Sequence, residues 1–459
     1  MAQTVKANTG LMRSPQNVAW IVVIFSFIAF CVMCVVGTWG ANWFLFESPV
    51  ALTTRIVVSR GAVTVSRPDG TRTLVNNNDP DNQDTFVVAN TVLQTDNNSQ
   101  GYLTFVDAYS GRVVGTLFLL ENSTLTFTEA SRPRFEWSQE LYRMMLKDAT
   151  GHFIIDIPDK LNRAVALSMD ATVGVALIKD SGSYRIDALD QKTTVYTRSG
   201  KSLLYASPDR AWPIEANMQA VLENGKQDVL VQPYPYDMLN LSEPGPVQPS
   251  FGSDDDVDTN KTLPLFWACT TPPQEKPNEP DGTWTRTRMD GQVVLEISRR
   301  GVGAGQQPLG SASTNCQFNF PPRPKGLNPK DYSSLSIQLK MKLLYQDVTT
   351  CGIVGSECPL MLLMAYVDTD GHEQFWRQGF YAERPPSDTN LLTCDTCPHN
   401  HAQINADTWY IYDTGDLKQQ FPPGKIDYIE YVEVYSSGHQ FEMVLSDFTV
   451  LGGKSNNPS

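Results

Sequence analysis

The chain is predicted to be mostly β, with one transmembrane helix at its N-terminus. Three observations carry that expectation. A 19-residue run without a charge, Val18 to Val36, is long enough to cross a bilayer core, which takes about 20 apolar residues. From Ala51 to Pro233, short alternating apolar runs are punctuated by Gly, Asn and Asp. Between residues 262 and 453, strand-like runs recur at sandwich spacing with no convincing helix. At 459 residues the chain exceeds one ordinary core. Its net charge of −14 argues against nucleic acid, which demands clustered Lys and Arg, and against broad adhesion to anionic lipid.

The helix comes first. The uncharged stretch extends from Ser14 to Phe46, with Trp20 at one end and Trp39 and Trp43 at the other, where aromatic anchors meet headgroups. A cleaved signal peptide is the alternative, but its apolar core runs roughly 7–15 residues before a small-x-small site. Here Trp39-Gly40-Ala41 puts a bulky ring where a small residue is needed. Cys31 and Cys34 read as small apolar residues within the span. Lys6 and Arg13 precede the span and Glu47 follows it. The positive-inside rule therefore predicts a cytoplasmic tail over 1–17, a membrane and interfacial segment over 18–46, and everything beyond outside.

The first exterior unit is expected over 51–231. Its strand signals are Arg55–Val65, Gly101–Val106, Arg112–Leu120, Ser123–Phe127 and Ala164–Ile178. One helix is expected inside it, over Arg134–Asp148: Phe135, Leu141, Tyr142, Met145 and Leu146 fall near helical spacing and Gly151 supplies a stop. Gly61–Val65, Val87–Asp107, Leu120–Phe127 and Ser183–Gly225 together resemble the FecR-like extracytoplasmic domain. The pattern departs from that family at Asp107-Ala-Tyr-Ser-Gly111 and at the inserted helix. The resemblance implies a transmembrane signalling role through a cytoplasmic segment. A stable interface takes about 20–30 residues per side, more than the 17 expected inside.

A Pro- and Asp-rich linker is expected over 232–261. Beyond it, 262–453 should form a disulfide-stabilised β-sandwich, with 454–459 as a tail. Its strands are expected at Val293–Ile297, Leu335–Leu344, Leu360–Val367, Glu373–Phe380, Thr408–Asp413, Ile426–Val434 and Phe441–Leu451. Asp331–Leu343, Trp409–Leu417 and Ile426–Gly452 resemble jelly-roll domains of the galactose-binding-like and carbohydrate-binding type, with Ser436-Ser-Gly438 as the last tight turn and Asp447 opening the last strand. That resemblance implies a fold rather than an activity.

All six cysteines beyond the helix lie in the sandwich: Cys269, Cys316, Cys351, Cys358, Cys394 and Cys397. An even number in an oxidising compartment reads as disulfides. Six cysteines allow 15 pairings, among which proximity favours 269–316, 351–358 and 394–397. Cys394-Asp-Thr-Cys397-Pro-His399-Asn-His401 also offers four zinc ligands. Structural zinc sites draw their ligand pairs from separate elements, so a plain disulfide is preferred over metal, and metal over redox chemistry. Asp368, Asp370 and Glu373 could supply calcium with oxygens, although Asp370-Gly371 reads first as a hairpin turn. Asp254–Asp256 reads as solvated linker. No cofactor is expected, with structural calcium or zinc as the alternative.

No nucleophile elbow, metalloprotease helix or phosphate loop occurs. Trp284, Trp376, Trp409, Tyr381 and Tyr410 could stack on sugars, against the simpler reading that large rings fill the sandwich interior. The expected function is therefore a membrane-anchored, non-enzymatic protein displaying a sandwich that contacts glycan or another surface protein. A signalling regulator and an extracellular carbohydrate-active enzyme are the alternatives.

Overall fold

The computed structural model describes residues 15–76, 84–239, 251, 267–272, 276, 278–290, 292–303, 307–321, 326–421 and 424–454. Lys6, Arg13 and Asp254–Asp256 lie outside the described residues, as do most of the expected linker and the tail beyond residue 454.

The apolar run forms one α-helix, Pro15–Asn42, closed by a wider π turn over Trp43–Glu47. It is long and apolar enough to cross a membrane, and none of it is buried against the rest of the chain. Strand Pro49–Ala51 follows immediately, so only Ser48 separates the helical segment from the first sheet.

Strands between Pro49 and Pro233 pair into one closed array around a core that includes Ile56, Phe105, Leu117, Phe153, Ile155 and Ile186. Most pairs are antiparallel; Tyr142–Ile157 lies parallel to Val165–Ala171. The helix expected over Arg134–Asp148 does not form. Residues 142–147 alternate strictly between buried and exposed, with Tyr142, Met144 and Leu146 inward and Arg143, Met145 and Lys147 outward. That period of two is satisfied by strand partners on both sides, which local helical spacing cannot anticipate. Gly151 is no helix stop. It lies inside the long strand at φ +108, where a Cβ would stand 2.6 Å from Ser123 Cα.

The second unit is a sandwich of two six-stranded sheets. One runs Thr283–Met289, Gln292–Arg299, Phe441–Lys454, Tyr332–Gln346, Tyr410–Asp413, with Tyr236–Asp237 paired to Phe441–Lys454. The other runs Trp267–Thr270, Ala312–Asn319, Ile426–Gly438, Leu360–Asp368, Glu373–Tyr381, Ala402–Gln403. Between them lie Ile297, Phe318, Leu339, Met364, Val434 and Phe448. The start of the expected linker is strand: Leu230–Pro233 closes the first unit, and Met238 is buried in the second core. Asp447 does not open the last strand but sits inside it, paired with Arg198 of the first unit.

The two units are docked. Tyr102, Phe118 and Leu120 of the first pack with Val294, Trp409, Ile411 and Val444 of the second in a separate apolar cluster. Around it Lys340 pairs with Asp156 at 2.6 Å and Arg185 with Asp413 at 3.1 Å. Ser59 Oγ donates to the Trp409 carbonyl at 2.6 Å, and Gln100 Nε2 donates to the Ile411 carbonyl at 3.0 Å. One face of the first-named sheet is thereby covered. We call it the docked sheet and its counterpart the free sheet.

Candidate functional site

The free sheet's strand Ile426–Gly438 places Val432 and Val434 inward, at 1% and 0% exposure, so Tyr431, Glu433 and Tyr435 face outward. Register then sets their neighbours. Tyr431 lies between Asn319 and Ala365, Glu433 between Gln317 and Leu363, and Tyr435 between Asn315 and Met361. The next strand adds Phe375 beside Ala365 and Arg377 beside Leu363. The result is a covered floor of Ala365 and Leu363, 0% and 5% exposed, flanked by half-buried rings, with the nearly buried Glu433 carboxylate, one guanidinium and three amides spread across it.

Local chemistry holds these groups in place. The Arg377 guanidinium lies 5.0 Å from the Phe375 ring centre, and its Nη1 donates to Thr396 Oγ1 at 2.6 Å. Thr396 belongs to the loop closed by the Cys394–Cys397 disulfide, which packs with Met361 and Tyr435 and walls one side. Burial pushes the Glu433 carboxyl up from its ordinary value, while Arg377 and a bond from Asn315 pull it back. Burial likewise pushes the Tyr435 hydroxyl up to about 12. Arg377 Nε and Asn315 Oδ1, a donor and an acceptor, have no protein partner.

The expected ring platform is not built from the tryptophans. Trp376, Trp409, Tyr381 and Tyr410 are buried at 2–4% exposure, and Trp284 is half-buried against the second core. Trp409 belongs to the docking cluster, where its Nε1 donates to Asp290 Oδ2 at 2.8 Å. The rings that do reach the free face are Tyr431, Tyr435 and Phe375. Their signal was present in the alternation Tyr431-Val-Glu-Val-Tyr435, which separates a ring-and-acid face from a valine face.

Three cysteine pairs stand bonded: Cys269–Cys316, directly opposed across two strands, Cys351–Cys358 and Cys394–Cys397. Among the described residues, one group brings three possible metal-ligand atoms within 4.8 Å, namely Cys351, Cys358 and His401. Its donors are already engaged. The sulfurs are bonded to each other, His401 Nδ1 accepts from the Gly379 amide at 3.0 Å, and Nε2 lies 2.7 Å from the Gly355 carbonyl. His399 is exposed, so the His399–His401 pair does not converge with the cysteines as a zinc set. Asp368 accepts from the Asp370 and His372 amides at 3.0 and 2.9 Å and closes the hairpin, with Asp370 and Glu373 exposed beyond it. The His372 amide bond is the main reason its carboxyl sits below the usual range.

Two clefts elsewhere are small. One of about 220 Å³ between the units is lined by Arg185, Tyr196, Tyr234, Gln338 and Asp413. Another of about 230 Å³ lies beside Trp43, Arg132 and Arg143. Both fall below the roughly 300–1,000 Å³ of typical small-molecule pockets. Arg185 is also already paired, with Asp187 at 3.0 Å and Asp413 at 3.1 Å.

No protein-family model matches the chain, and no curated protein matches it. Among solved structures it is similar to a protein named as an anti-sigma factor from Parabacteroides distasonis (12% identity, TM-score 0.23, covering 31% of this chain and 59% of that one). It is also similar to a family 11 carbohydrate-binding module from Clostridium thermocellum in complex with a β-1,3-1,4-mixed-linked tetrasaccharide (10%, 0.23, 42% and 92%). A third is an exo-β-agarase (11%, 0.22, 46% and 25%). The chain spans about three fifths of the first of these structures. At such scores the likeness carries no inference about ligand or activity.

Proposed function

We propose that the chain is a membrane-anchored, extracytoplasmic, non-enzymatic protein whose free sheet binds a carbohydrate chain. The observation that carries the reading is the outward row Tyr431, Glu433, Tyr435 with Phe375 and Arg377 on neighbouring strands. A pyranose has apolar C–H faces, which lie well on aromatic rings, and a rim of hydroxyls that pair with carboxylate, guanidinium and amide groups. The half-buried rings Tyr431 and Phe375, beside the wall made by the Cys394–Cys397 loop, suit one side of a polymer, which needs no enclosure.

The location rests on two supports. A helix of 28 residues lies outside every core, and its length and composition suit a bilayer. Three disulfides in the second unit fit an oxidising compartment beyond that membrane.

The test is retention of the detergent-solubilised full chain on insoluble polysaccharides and on a glycan array, against Tyr431→Ala. Retention of the parent protein and its loss in the variant supports the reading. Equal behaviour of the two, or no retention of either, removes it.

A further inference from the structure

We propose that the loop Arg134–Ser138 seats in the headgroup zone of the bilayer, so that the first unit rests directly on the membrane surface. This rests on the membrane-anchor reading above and adds a second, lipid-facing element to it.

Depth comes from counting residues. The uncharged stretch Ser14–Phe46 is centred on Phe30. Phe44 lies 14 residues further, which is about 21 Å along a helix at 1.5 Å per residue. A bilayer with its headgroups measures about 40–45 Å, so Phe44 reaches the headgroup level on the exterior side.

The loop is fastened at that level. The Phe135 ring meets Phe44 edge-on at 5.5 Å, and Trp137 stacks on Phe135 at 4.7 Å with planes 9° apart. The Arg134 guanidinium lies 5.3 Å from the Phe44 ring centre, and its amide donates to the Ser48 carbonyl at 2.9 Å. Ser138 Oγ donates to the Phe46 carbonyl at 2.5 Å. Strand Pro49–Ala51 pairs with Ser131–Pro133, so the chain passes from helix to sheet with no slack to lift the unit away.

The loop also presents more apolar surface than the protein covers. Trp137 is 60% exposed and is linked through the Phe135 ring to Phe44, itself 45% exposed. Tyr109, at 76% exposure, is tied to the same end: the Arg132 guanidinium lies 5.4 Å from its ring centre and pairs with Glu136 of the loop at 3.3 Å. Tryptophan and tyrosine are the side chains favoured where hydrocarbon gives way to headgroups. The occupant that fits is the lipid interface the helix already crosses.

The experiment reconstitutes the full chain into phosphatidylcholine vesicles and takes the emission difference between it and Trp137→Phe, a substitution that keeps the ring stack. Quenching by lipid brominated near the top of the acyl chains, with protection from aqueous iodide, is expected. Quenching by iodide and indifference to brominated lipid would overturn the proposal. A parallel difference against Trp39→Phe/Trp43→Phe separates the two readings. If those rings also ignore the lipid, the anchor itself fails. If they respond and Trp137 does not, only the seated loop is lost.

Discussion

Trp409→Ala should uncouple the two units. The ring is 4% exposed within a cluster that draws Tyr102, Phe118 and Leu120 from the first unit and Val294, Ile411 and Val444 from the second. Lys340 and Lys342 place their ammonium groups 5.4 and 5.2 Å from its centre. Truncating a buried tryptophan to alanine costs about 3–5 kcal/mol, through lost transfer energy and the cavity left behind. Each cation–π contact accounts for about 0.5–1 kcal/mol of that, or more where water is excluded. The lost indole bond adds little, because the Asp290 carboxylate is 49% exposed and regains water. The assay is urea unfolding of the full chain in detergent, followed by near- and far-UV circular dichroism. The parent chain should unfold in one transition spanning both units. The variant should show a lower midpoint and a split transition, because the loss falls on the docking surface rather than inside the core of either unit. A variant with the parent's midpoint and a single transition would refute docking through this ring.

Other perturbations have equally definite outcomes. On the free face, Tyr431→Ala should weaken polysaccharide retention by roughly thirtyfold if the ring is a hot spot worth about 2 kcal/mol, read by affinity electrophoresis. Removing Cys269–Cys316, whose partners are 47 positions apart, should cost about 4 kcal/mol in the chain-entropy picture, against about 2 for Cys394–Cys397, 3 positions apart, measured as denaturation midpoints of the serine pairs. His401→Ala leaves the Gly379 amide and the Gly355 carbonyl unpaired in a buried setting and should cost about 1–3 kcal/mol by the same measurement. The same residue sets a pH dependence. Burial lowers the folded imidazole below its ordinary 6.5, so the unfolded chain binds the proton first. Stability present above pH 6.5 is then lost as pH falls through the folded value, and in His401→Gln that part of the slope should vanish.

Strand placement in the second unit was legible where strands alternate, as in Leu335–Leu343, and where a short apolar run is bounded by turns, as in Leu360–Asp368. Leu335–Leu344 lies within the observed Tyr332–Gln346, and Ile426–Val434 within Ile426–Gly438. The inserted helix shows where such reading fails. Arg134–Asp148 carries apolar residues at both periods, and the choice is made by partners 12 to 23 positions away in Val165–Ala171 and Thr124–Pro133, which no local window contains. Docking was illegible for a different reason. Lys340 and Lys342 look like solvent-facing positions of a sheet, yet both are nearly buried, paired with Asp156 on one side and with Asp290 and Asp407 on the other. Nothing in a lysine distinguishes a counter-ion found in another unit from water.

The same logic explains why tryptophans drew attention and tyrosines carry the candidate face. Trp376 and Trp409 lie where nearly all of their apolar area is covered, one in the sandwich core and one at the docking surface. Tyr431 is half-buried, with the small Ala365 as its cross-strand neighbour. In this sandwich the candidate face is picked out by a strand that alternates valine with tyrosine and acid rather than by the largest rings. Here that criterion selects Ile426–Gly438, the central strand of the sheet that the first unit leaves uncovered.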